Sequence, residues 1–204
     1  MKLTPKSSSR ILAPEGIHFA RCIRIVDLGT QESSNPEWRA SRKLNLGFEL
    51  VDESAIFDEE RGEENFVVYG NWNQSLGKKS KLRPLIESWT GKKIADEFEL
   101  DTLLDLPCQI QITHVTNDKG TYANITNIMG PGKGKVSKST MEPESLYLDE
   151  TFDEEIFKKL PEFMQEMIED SPEYKAIEAA AAPKVKAKPA PVAAKKAAPT
   201  KKRK

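Results

Sequence analysis

Among the side chains of this chain, the ones best suited to holding a ligand are flat aromatics interleaved with lysine, arginine and amide groups. Bases stack on such rings for about 1–3 kcal/mol each, while Lys and Arg follow the phosphates, so this mixture is the chemistry of binding a single nucleic-acid strand. Trp38 and Arg39 are adjacent in a polar stretch. Lys43 and Asn45 alternate with leucines, and Tyr69 and Asn71 alternate with Val68 and Trp72. Lys78, Lys79, Lys81 and Arg83 form the densest positive cluster of the body, and Lys119 lies three residues before Tyr122. For Tyr69, Trp72 and Tyr122 a place in the hydrophobic core competes with ligand contact. Trp38, in its polar surroundings, reads as functional, and Trp89, on an apolar helical stripe, as core.

Other chemistries find less support. His18 and Cys22 share one strand face, as do Cys108 and His114, but at ~3.3 Å per residue the pairs span roughly 13 Å and roughly 20 Å. Zinc needs its donors within about 2.0–2.3 Å of the metal, so these four cannot chelate together. GPGKGKVS has Val136 where a phosphate loop requires Ser or Thr after the lysine. The acidic run Asp58–Glu64 lacks calcium-loop spacing. With both histidines on strands, no nucleophile–base pair stands out. No clustered carboxylates suggest a nuclease. The expectation is a non-enzymatic protein without metal or cofactor. Two cysteines are too few for a disulfide framework and read as reduced, buried thiols.

The elements that must position these side chains follow from periodicity. Ile17–Asp27 is a β-branched strand. Leu44, Leu46, Phe48 and Leu50 recur at every second residue, which predicts a half-buried strand with Lys43, Asn45, Gly47 and Glu49 on its wet face. NFVVYGNW forms a third strand. The period then changes to 3.6, with Leu82, Leu85, Ile86 and Trp89 on one helical face, Ser80 as cap and Gly91 as stop. Pro84 is tolerated in the first turn. DTLLDL reads as a short second helix capped by Asp101. PCQIQITHV and TYANITNIM, joined by a tight turn at Asn117–Gly120, complete the set. Strand, strand, strand, helix, strand, strand is the order of a five-stranded OB-fold barrel, mainly β with helices. In that fold strands 2 and 3 and their loops are the usual binding face.

Charge divides the chain further. Residues 1–140 hold 19 basic and 19 acidic side chains, residues 141–178 hold 3 and 13, and residues 179–204 hold 9 and none. The expected organisation is a disordered 1–14, the barrel at 15–130, a flexible basic linker at 131–140, an acidic segment at 141–178 and a disordered Lys/Ala/Pro tail at 179–204. Within the acidic segment, DEEIFKKLPEFMQEMIEDS is amphipathic and should break at Pro161. Phe157, Phe163, Met164 and Met167 on it are candidate partner-binding residues, with packing on the barrel as the other reading. No apolar run approaches a membrane span, and the start lacks an apolar signal core.

ARCIRIVDLGTQ (Ala20–Gln31), SLGKKSKLRPLIESWTGKK (Ser75–Lys93), LLDLPCQIQITHV with KGTYANITNI (Leu103–Ile128), and LPEFMQEMIEDSPEY (Leu160–Tyr174) resemble a family of small bacteriophage replication and recombination proteins, OB-fold binders of single-stranded DNA. The resemblance implies a cofactor-free protein that coats or handles single strands in the cytoplasm of an infected bacterial host, alongside a phage or host replication or recombination protein. An adaptor that recruits a replication enzyme through its acidic helix is the alternative. The chain departs from many such binders by ending in KKRK, with its acidic segment upstream.

Overall fold

The computed structural model describes residues 11–181 except Ser34 and Lys119. Six strands and four helices follow in the order β1 (Gly16–Gln31), β2 (Ser41–Asp58), β3 (Gly62–Asn73), α1 (Leu82–Thr90), β4 (Pro107–Asn117), β5 (Gly120–Met129), β6 (Glu144–Leu146), α2 (Glu154–Lys159), α3 (Glu162–Asp170) and α4 (Pro172–Ala181). The first five strands form one antiparallel path, β3-β2-β1-β4-β5, whose end strands lie side by side, so the sheet curls into a nearly closed OB-fold-like barrel. Helix α1 sits between β3 and β4 and packs against β5, as the strand order predicts.

The barrel interior is filled by the alternating residues of β2, Leu44, Leu46, Phe48 and Leu50, with Ile110 and Ile112 of β4 and Ile128 of β5. Leu82, Ile86 and Trp89 present one apolar stripe of α1 to this core, and Phe48 packs on Trp89 with ring centroids 5.5 Å apart. The Trp89 indole N–H donates to the Pro107 carbonyl at 3.0 Å, which satisfies its polar edge in the core. Gly91 ends the helix with φ 68° and its N–H donates to Glu87 O. Leu100–Leu103 forms a short 3-10 turn where a second α-helix is expected, and Asp101 accepts from the Tyr147 hydroxyl instead of capping. Cys22 and Cys108 are unpaired and buried in this core, and burial pushes the Cys22 thiol up to about 12.

A second core lies on the outside of the barrel. The register shift between Cys22 and Arg24 turns Val26 and Leu28 outward, away from Ile25 and the interior. Leu146, Leu148, Phe157, Leu160, Met164 and Ile168 of the C-terminal segment close over them, and β6 pairs with Arg24–Val26 in parallel. Two polar clasps fix this layer. Asp27, buried, receives both Nε and Nη2 of Arg42 and the backbone N–H of Leu148. Glu49, wholly buried, accepts from the Ser139 hydroxyl, from the Thr140 hydroxyl and N–H, and from Asn65 Nδ2. Burial alone would raise the Glu49 pKa, but these donors outweigh it and hold the carboxyl below its ordinary value.

Three expectations are corrected by this layer. The outer face of β2 is not wet: Asn45, Gly47 and Glu49 are buried, because residues 139–171 supply a second covering that strand periodicity cannot reveal. Residues 131–140 do not run free, since Gly134 lies against Phe19, Ser137 O accepts from Arg21 Nε and Thr140 is clasped by Glu49. Pro161 does split the amphipathic helix, into α2 and α3, with Asp153 capping α2 through Glu155 N and Ile156 N. However, Phe157 and Met164 are buried in the second core and Met167 is half-buried, which leaves Phe163 as the exposed candidate for a partner.

At the other end, Ala13 is buried in the barrel core although it falls in the stretch expected to be disordered. His114 Nε2 donates to Ala13 O at 2.8 Å and His18 Nε2 to Pro14 O at 3.0 Å, so both histidines serve to hold this strap. Residues 1–10 and 182–204, including most of the Lys/Ala/Pro tail, lie outside the described residues. Among the described residues, no helix is long and apolar enough to cross a membrane.

Candidate nucleic-acid interface

The β1–β2 connection is built from turns. Asn35 Oδ1 accepts from Glu37 N at 3.0 Å, and Trp38 N donates to Asn35 O at 3.0 Å. This places Trp38 at the surface, 70% exposed, where its ring is not needed for packing. Across from it, Trp72 is half-buried on the core side and its indole lies back over Gly70. A Cβ at Gly70 would stand 2.2 Å from the Trp72 ring, so only glycine lets the indole lie there.

The third wall is the β3–α1 loop. Gln74 N donates to Arg42 O, Ser80 N to Gly77 O, and Leu82 N to Ser80 Oγ at 3.0 Å. The helix therefore starts at Leu82, and Ser80 still offers its hydroxyl to the first amide. Arg83, a quarter exposed, does not line the groove. Its guanidinium donates to Leu76 O at 2.7 Å and Ile94 O at 2.8 Å and pairs with Asp96 at 3.0 Å, buckling the loop to the segment after α1. With that buckle in place, Lys78, Lys79 and Lys81 are exposed on the loop.

These three walls enclose a groove of about 840 Å3. Trp38, Arg39, Lys43, Asn71, Trp72, Lys78, Lys79 and Lys81 all line it, eight of the thirteen residues proposed from sequence. The described lining carries five cationic side chains and no acidic one, a local stripe in a body whose residues 1–140 balance to zero. Lys43 Nζ donates to Asn73 Oδ1 at 2.5 Å, and Asn45 Nδ2 donates to Asn71 Oδ1 at 2.6 Å.

The remaining candidates lie elsewhere. Asn45, 1% exposed, supports Asn71 from beneath and is not at the surface. Tyr69 receives a 3.4 Å hydrogen bond from Arg24 and lines a separate groove with Tyr122. Lys119 is outside the described residues. Sequence reasoning missed Asn73 and Ser41, which line the basic groove. Extending the β3 alternation past Asn71 by one step finds Asn73, whereas the loop serines carry no periodic signal.

A flat ring on each side, cations along the rim and amides on the floor can hold a flexible polyanion with planar groups. Two tight points of an OB-fold, the β1–β2 loop and the strand 2–3 face, supply the groove. No protein-family model matches the chain, and no curated protein matches it.

Proposed function

We propose that this protein binds single-stranded DNA, without catalysis, in the groove between Trp38, Trp72 and the Lys78–Lys81 loop. The observation that carries the reading is the convergence of two tryptophans and five cations, from three separated segments, on one groove free of acidic lining. Bases stack on Trp38 and Trp72, Lys78, Lys79, Lys81 and Arg39 follow the phosphates, and Asn71 and Asn73 face base edges. The resemblance to phage replication and recombination proteins supports the same reading, and the proposal extends to work on single strands in an infected bacterial cell.

Titration of the full chain with a short oligothymidylate at low salt tests it through tryptophan fluorescence. Trp89 is buried in the core, so quenching reports on Trp38 and Trp72. Saturable quenching is expected. The absence of both quenching and a gel shift at low salt would sink the proposal, as would unchanged affinity after replacing Trp38 and the three loop lysines.

A further inference from the structure

A second groove, of about 600 Å3, opens over the seam where β3 and β5 meet. It is unlike the first in chemistry. Phe57, Tyr122 and Phe163 line it and are all exposed, and Phe66 and Tyr69 form its floor. Phe57 meets Phe66 edge-to-face at 5.0 Å, so the rings hold one another upright. Phe57 is followed at once by the β2–β3 turn, where Asp58, Glu59, Glu60, Glu63 and Glu64 outnumber Arg61. Arg61 pairs with Asp58 and Glu64, leaving Glu59 and Glu60 without an ion pair among the described residues. The lining itself carries no charged side chain, so it offers a nucleic-acid strand no cation. An aromatic groove that ends next to an acidic turn suits an extended peptide carrying prolines and lysines, because flat rings pack against a preformed polyproline helix.

The tail contains a segment of that composition. Lys188–Lys196 reads KPAPVAAKK, with three basic side chains, two prolines and no acid. Pro189 lies eight residue steps beyond Ala181, the end of α4, a reach of up to roughly 26 Å at ~3.3 Å per residue. We infer that this part of the tail docks into the second groove, with Pro189, Pro191 and Val192 against Phe57, Tyr122 and Phe163 and the lysines beside the acidic turn. Tethering gives the segment an effective concentration of order millimolar, so a weak contact is enough to hold it. The inference is independent of what the basic groove binds. Its consequence is that the docked lysines are withheld from any polyanion.

The test uses the full chain carrying Ala198→Cys, which takes a nitroxide label because Cys22 and Cys108 are buried. Selective loss of amide signal at Phe57, Tyr122 and Phe163 is expected, unchanged on dilution. It should be restored by Tyr122→Ala with Phe163→Ala, and equally by Lys188→Glu, Lys195→Glu and Lys196→Glu, which leave the barrel untouched. Three results overturn the proposal: no loss at these positions; loss spread over the acidic faces of α2–α4 that survives both sets of changes; or loss that disappears on dilution, which assigns the tail to a second copy.

Discussion

Trp38 and Trp72 reach one groove from opposite kinds of position, one displayed by a turn and one rooted in the core. Trp38→Ala should therefore weaken oligonucleotide binding by about 1–3 kcal/mol, roughly 5–150-fold, and leave the thermal midpoint unchanged. Arg83→Ala should do the reverse. It lowers the midpoint, measured by circular dichroism, because three carbonyl and carboxylate partners lose their donor, and it affects binding only through the slackened loop. Glu49 sets a pH dependence. Its depressed pKa stabilises the fold above the ordinary glutamate value of about 4.3, and that contribution disappears as pH falls through the folded value. Glu49→Gln should lose about 1–3 kcal/mol at neutral pH and show a flatter decline of thermal midpoint below about pH 4.3. The cations and Trp38 were legible in the sequence because exposed charge and an aromatic in a polar loop are local facts. The role of Arg83 was not, since its partners at Leu76, Ile94 and Asp96 are made by the chain's return.

The strands and α1 were readable because each hides one face and shows that in its period. The outer face of β2 misled for the same reason. Asn45, Gly47 and Glu49 look like a solvated alternation, yet a second layer from 139–171 covers this face; Asn45 Nδ2 donates to Asn71, and Glu49 is satisfied by Asn65, Ser139 and Thr140. The helical segment shows the two outcomes side by side on α3. Met164→Ala should destabilise by about 2–5 kcal/mol in urea unfolding, because the side chain is fully buried in the second core. Phe163→Ala, one residue away and 48% exposed, should leave stability nearly unchanged. The kink at Pro161 was predictable from proline alone.

At the scale of the molecule, charge is arranged rather than abundant: the formal total is -1, while the basic groove has five cations. Binding should fall steeply with salt. Neutralising Lys78, Lys79 and Lys81 together should reduce the slope of log affinity against log salt by about 2, at about 0.7 per phosphate contact on a single strand. Equilibrium titrations at several sodium chloride concentrations measure this directly. Strand order foretold the barrel, whereas the packing of the acidic segment onto it depends on the β1 register shift that turns Val26 and Leu28 outward.

That outward turn also imposes a schedule on synthesis. The ribosome makes β1 first, but Arg24–Val26 must wait for Glu144–Leu146, and the close approach of Gly29 to Ser171 comes later still. At about 5–20 residues per second, roughly 6–24 s separate the two halves of the β1–β6 pairing. Val26 and Leu28 stay uncovered throughout, an apolar patch that persists even after the last barrel strand, β5, has been made. Covering of this patch is therefore the last step, completed when Leu146, Leu148 and the acidic helices pack onto it.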